Sequence, residues 1–172
     1  MEGPTLGVMS SPRPREGRPR RHTGRVIAIG ALALVLAIGA AFALSPWPSV
    51  VVIRAVFDRG AADAVEEMNR HAPPSAATEL IGVPVGDARM DVYLPDRPAG
   101  SGPVPVVVWT HGGAWISGRS ADVAPYLRIL TERGYAAIAV DYTIAPEAAY
   151  PTPVSQVNDV LAAVVTRSDE WG

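Results

Sequence analysis

The stretch that decides the fold is "VPVVVWTHGGAWISG", Val104 to Gly118. Its first half, Val104, Val106, Val107, Val108 and Trp109, is β-branched or aromatic with almost no polar interruption. Such a run predicts a strand buried on both faces, as in parallel sheets flanked by helices. Pro103 and Pro105 punctuate its start, where a missing ladder donor does least harm. After Thr110 and His111 the chain loses side chain abruptly at Gly112 and Gly113. Paired glycines permit positive φ and let another group approach the main chain. Successive N–H groups in such a turn form a concavity suited to negative charge.

Working outward, the pattern on both sides is that of alternating strands and helices. "LIGVPV" (80–85) and "RMDVYL" (89–94) flank Gly86-Asp87 and read as an antiparallel hairpin. "PDRPAGSGP" is a polar loop before the apolar strand. A helix is expected from about Ala121 to Arg133, with Ser120 or Asp122 as cap and Tyr126, Leu127 and Leu130 as its apolar stripe. Gly134 stands as its C′ stop. "YAAIAVDY" (135–142) is a second buried strand, and "TIAPEAAYPTP" a proline-pinned loop. A last helix begins near Val154, with Val157, Val160, Leu161, Val164 and Val165 on one side. Strand, helix, strand, helix with buried strands argues for an α/β sheet.

The front of the chain is different in kind. Residues 1–25 are rich in Pro, Gly and Arg and are expected to be disordered. Val26 to Leu44 runs nineteen residues without a charge. As a helix it would be roughly 28 Å long, near the hydrocarbon thickness of a bilayer. Six arginines precede it and none follows until Arg54. The positive-inside rule then places the N-terminus in the cytoplasm and the remainder outside, a single-pass arrangement in the cell membrane. A cleaved signal peptide is the competing reading, because Ala41-Phe42-Ala43 has the small-x-small form of a cleavage site. Cleavage after Ala43 would make the body a secreted protein. Residues 45–78 hold an amphipathic helix, with Ile53, Phe57, Ala61, Ala64 and Met68 on one face and Arg54, Asp58, Asp63, Glu66 and Glu67 on the other. It reads as a spacer that lifts the body off the lipid, closed by a linker at Pro73-Pro74.

Composition narrows the chemistry. Hydrophobic residues make up 48% of the 172, enough for an ordinary core, so the chain as a whole is not disordered. There is no cysteine, which excludes disulfides, a thiol nucleophile and thiolate metal sites. His22 and His71 lie before the body and lack ligand spacing, so no metal or other cofactor is expected. The net charge of −2 divides into +4 over residues 1–44, from six Arg and two Glu, and −6 over the rest, from nine Arg and fifteen acids. A basic tail before an acidic body points to a membrane address and away from nucleic acid.

Three pieces carry a family resemblance: "MDVYLP", "VVVWTHGGAWISG" and "YAAIAVDYTIAPEAAYPTPVSQVNDV". In order and spacing they resemble α/β-hydrolase esterases of the hormone-sensitive-lipase-like and feruloyl-esterase-like group, over about the last 95 residues. The resemblance implies that residues 79–172 are the N-terminal part of an α/β-hydrolase domain. Its sheet would be mostly parallel and helix-flanked, with strand order 1-2-4-3-5, preceded here by the transmembrane helix. It also implies that the backbone N–H groups of Gly112, Gly113 and Ala114 form an oxyanion hole, Ala114 standing where many relatives have a third glycine. Each such donor stabilises the tetrahedral oxyanion by about 3 kcal/mol. His111 resembles the motif histidine that orients the loop and is not the base. Trp115 is expected to pack under the loop as core, and Asp141 and Glu147 to brace the loops by hydrogen bonds.

No Gly-x-Ser-x-Gly elbow occurs among the 172 residues. Ser117 has Trp115 where the pattern needs glycine, and Ser155 and Ser168 have no glycine framing. The triad is therefore expected beyond residue 172, so that no catalytic residue lies within the chain. The expectation is a membrane-anchored serine carboxylesterase acting on a small-molecule ester, truncated before its nucleophile and inactive as it stands. The other reading is a non-enzymatic, membrane-tethered pseudohydrolase. Residues 26–44 would contact membrane lipid in either case.

Overall fold

The computed structural model describes residues 21–98 and 100–171. The disorder expected for residues 1–20 lies outside the described residues. Residues 21–25 are not disordered: helix α1 spans Arg21–Leu44. It begins before the apolar run because Thr23, Gly24 and Arg25 continue the same helical turn. Within it, Thr23–Leu44 is long and apolar enough to cross a membrane, and its side chains are exposed throughout. Of the described residues, 21–41 fall in one unit and those from 42 to 171 in a second.

The second unit opens with α2 (Trp47–Asn69), entered through Pro46 and Pro48. It continues with β1 (Thr78–Val85), β2 (Ala88–Leu94) and β3 (Val106–Thr110). A short 3₁₀ turn at Ser120–Val123 leads into α3 (Ala124–Glu132), followed by β4 (Ala136–Asp141) and α4 (Thr152–Thr166). Neither Ser120 nor Asp122 is the cap: the 3₁₀ turn is capped at Arg119, whose N–H is accepted at 3.0 Å by the carboxylate of Asp122, the third residue of the turn. Helix α3 ends at Gly134, φ 83°, where Gly134 N bonds Thr131 O and Tyr135 N bonds Leu130 O. That pair of bonds is a Schellman stop, possible because glycine tolerates the left-handed conformation.

The sheet order is β1-β2-β4-β3. It is a mixed sheet, not a mostly parallel one: β1 with β2 and β2 with β4 are antiparallel, and only β3 with β4 is parallel. The physical reason is the hairpin. Gly86 at φ 56° reverses the chain between β1 and β2, the 95–105 loop reverses it again before β3, and α3 carries the chain back so that β4 runs parallel to β3 and antiparallel to β2.

Strand β4 is the strand buried on both faces. Ala137 and Ala139 meet Leu127, Val123 and Leu130 from the α3 side, whereas Ile138 and Val140 join Met90, Val92 and Val160 from the α4 side. Strand β3, for which two-sided burial is expected from the sequence, lies at the edge of the described sheet. Val106 is 47% and Trp109 37% exposed. Within the described sheet it has one covered flank, and the Trp109 ring packs 5.3 Å from that of Tyr126.

Helix α2 is not a spacer. The stripe that faces the body runs through Val50, Arg54, Ala61, Val65 and Met68. Ile53 and Phe57, assigned by hydropathy to the covered face, are 38% and 45% exposed. Arg54, assigned to the solvent face, is turned inward because its partners lie in the body.

Candidate functional site

At the end of β3 the chain makes a tight turn over residues 111–118. Gly113 has φ 114°, and Ala114 and Trp115 stand at φ 54° and 66°. Two consecutive non-glycine residues in the left-handed region cost of order 1–3 kcal/mol each, and such strain persists only where surrounding contacts over-determine it. The contacts are identifiable. Gly113 O accepts N–H bonds from Ile116 at 3.1 Å and Ser117 at 3.0 Å. A Cβ on Gly113 would collide with the Ser117 carbonyl, and one on Gly118 with Gly112 O and His111 Nδ1. Gly112 has open space around it, so the two adjacent glycines do different work.

Folding back in this way leaves donors free. Among the described residues, the Gly113 and Ala114 amides find no hydrogen-bond acceptor. Gly112 lines two clefts. One, of about 370 Å³, includes Ala114, Trp115, Tyr142 and Asn158. The other, of about 400 Å³, lies between the turn and Val56, Phe57 and Gly60 of α2. Exposed, unsatisfied N–H groups at the mouth of an apolar cleft can stabilise an anionic oxygen without reorganising.

His111 is buried and stacked flat on Tyr142, with ring centroids 4.2 Å apart and planes within 8°. Its Nδ1 lies 2.8 Å from Gly112 O. A carbonyl can only accept, so Nδ1 carries the proton, and Nε2 is left without a partner among the described residues. The Tyr142 hydroxyl donates to His111 O at 2.8 Å. Burial pushes the Tyr142 phenol above its ordinary pKa, which keeps this donor protonated. The turn is thus stapled at its entry.

Trp115 does not pack under the loop. It is 54% exposed, stands on left-handed backbone, and its ring is tilted against that of Tyr142 with centroids 5.4 Å apart. Asp141 accepts the Ser120 N–H at 3.2 Å and so fixes the start of the 3₁₀ turn. Glu147 faces a different partner, the Arg54 guanidinium, through bonds of 2.9 and 2.6 Å. That guanidinium holds the Glu147 carboxyl below its usual range. Asp141 and Glu147 are therefore engaged separately and form no paired-carboxylate site.

Sequence reasoning missed Arg54, Asp58 and the role of Ser117. Arg54 Nε donates to Ile116 O at 2.5 Å and Nη2 to Ala145 O at 2.8 Å. Ser117, only 2% exposed, donates its hydroxyl to Asp58 at 2.8 Å. The available signal was the spacing: Arg54 and Asp58 are one helical turn apart on the stripe that holds Val50, Ala61 and Val65.

The family model BD-FAE matches residues 90–172, from the middle of β2 to the end of the chain. The body of the chain is similar in sequence and fold to hormone-sensitive-lipase-like esterases of the α/β-hydrolase fold. An esterase of Gibberella moniliformis is 32% identical over 115 residues, covering 62% of this chain and 35% of its own length. The kynurenine formamidase of Danio rerio is 37% identical over 95 residues, covering 53% and 31%. Among solved structures, the esterase of Pyrobaculum calidifontis superposes with a TM-score of 0.58 at 26% identity, covering 72% of this chain and 39% of that one. The chain spans about a third of the length of these curated relatives.

Proposed function

We propose that this chain carries the oxyanion-hole half of a serine carboxylesterase, tethered to a membrane by residues 26–44. The observation that carries the reading is the strained turn whose Gly113 and Ala114 amides are unengaged. When a nucleophile adds to an ester carbonyl, the oxygen becomes an oxyanion, and fixed N–H donors stabilise that charge more than the ground state. Gly112, exposed and without a side chain, leaves room for the acyl carbon to approach. His111 and Tyr142 hold the entry of the turn and take no proton from substrate. Asp141 and Glu147 brace the neighbouring segments.

The nucleophile and base come from sequence outside these 172 residues in this reading, since none of the serines has an elbow frame. The 172-residue chain by itself should then hydrolyse no short-chain p-nitrophenyl ester above background. The same chain carrying whatever residues its gene encodes after Gly172 should turn over p-nitrophenyl butyrate. A downstream frame without Gly-x-Ser-x-Gly, or an extended chain without turnover, would favour the pseudohydrolase instead. The tether reading rests on the uncharged run from Val26 to Leu44 and the arginines before it.

A further inference from the structure

The oxyanion turn is gripped from outside by helix α2. Arg54 reaches Ile116 O, Ala145 O and both carboxylate oxygens of Glu147. One helical turn later, Asp58 accepts the Ser117 hydroxyl. Consecutive residues 116 and 117 are therefore held by two side chains of the same helix. These are the residues whose N–H groups close the turn on Gly113 O. The grip extends sideways, because Ala145 N donates to Trp115 O at 2.7 Å while Arg54 holds Ala145 O.

This network bears on the strain. Inside the turn, two bonds to Gly113 O span Ala114 and Trp115 and resist their relaxation out of the left-handed region. The remaining constraints on residues 115–117 come from α2 and from the 145–147 segment that Arg54 ties down. A planar guanidinium suits this role because its fork meets two carbonyls and a carboxylate at fixed angles, which an ammonium cannot do. An exposed ion pair alone would contribute little, but here the same side chain also bonds main-chain carbonyls of both loops.

We propose that Arg54 and Asp58 are positioning residues that hold the oxyanion turn in its strained conformer, so that docking of α2 sets whether the Gly113 and Ala114 amides are presented. This rests on the reading of those amides as oxyanion donors, but its test needs no substrate. Amide hydrogen exchange is measured on the full chain in detergent micelles, for the parent protein and for Arg54→Ala, Asp58→Ala and Arg54→Lys. The Ile116 and Ser117 amides, protected by Gly113 O, are the reporters, and the Val92 and Ile138 amides of the sheet are the reference. In Arg54→Ala and Asp58→Ala the reporters should exchange at least tenfold faster with the reference unchanged. Lysine at 54 should restore only part of the protection. Unchanged reporters in both variants overturn the proposal. So does a rise of reporters and reference together, which would mean general destabilisation. A turn released as expected in a protein later shown to have no esterase activity would leave the grip standing and remove only its catalytic meaning.

Discussion

The two glycines of the turn should respond in opposite ways to a single methyl group. Gly112 has no heavy atom within 4 Å of the position a Cβ would take and does not have positive φ. Gly113 stands at φ 114°, and its Cβ would run into the Ser117 carbonyl. That carbonyl cannot step aside cheaply, since Ser117 is 2% exposed and its hydroxyl is bound to Asp58. The backbone conformation alone costs a non-glycine residue about 1–3 kcal/mol. Gly112→Ala should stay within about 0.5 kcal/mol of the parent and could gain from a stiffer unfolded chain. At about 4 °C per kcal/mol for a unit of this size, Gly113→Ala should lower Tm by about 4–12 °C. Gly112→Ala should move it by less than about 2 °C. Thermal unfolding of the full chain in detergent micelles, followed by circular dichroism, reads both. Equal shifts for the two alanines would refute the geometry of the turn.

Other expectations follow from the body and its ends. Leu127 is fully buried between α3 and the sheet, so Leu127→Ala should cost about 2–5 kcal/mol in urea unfolding. Glu79 is held below its usual pKa first by its bond with Arg128, and Glu147 by its bond with Arg54. Their stabilisation is present above the ordinary carboxylate value of about 4.3 and is lost as pH falls through the lower folded values. Glu79→Gln should therefore flatten the acid limb of a stability–pH profile and leave Arg128 without its anion. A reporter fused after Trp171 should be active only outside the cytoplasm; cytoplasmic activity would refute the tether's orientation.

How much of this could be read from residues depends on the range of the interaction. The hairpin, the Gly134 stop and the apolar β4 run rest on neighbours a few residues apart, and local pattern is enough to find them. The place of β3 beside β4 at the edge of the described sheet was legible only through the family resemblance, which implies the order 1-2-4-3-5; the run "VPVVVWT" alone is equally apolar with one flank covered or two. The mixed character of the sheet was implicit in the predicted hairpin, but the pairing of β2 with β4 joins segments nearly fifty residues apart. Arg54 and Asp58 misled for a related reason. Hydropathy places charged residues on the solvent face, whereas their partners at Ile116, Ser117, Ala145 and Glu147 lie roughly sixty to ninety residues further on. Trp115 was read as core from its side chain, when its backbone angle decides where it points.

Of the two donors proposed for the oxyanion hole, Ala114 can have its N–H removed on its own. Replacing Ala114 by its α-hydroxy analogue, lactic acid, exchanges the amide for an ester and deletes a single N–H with no change of side chain. In the chain carrying the residues encoded after Gly172, kcat for p-nitrophenyl butyrate should fall about 10²–10³-fold with KM little changed. A kcat within twofold of the parent's would contradict the assignment of Ala114 to the oxyanion hole.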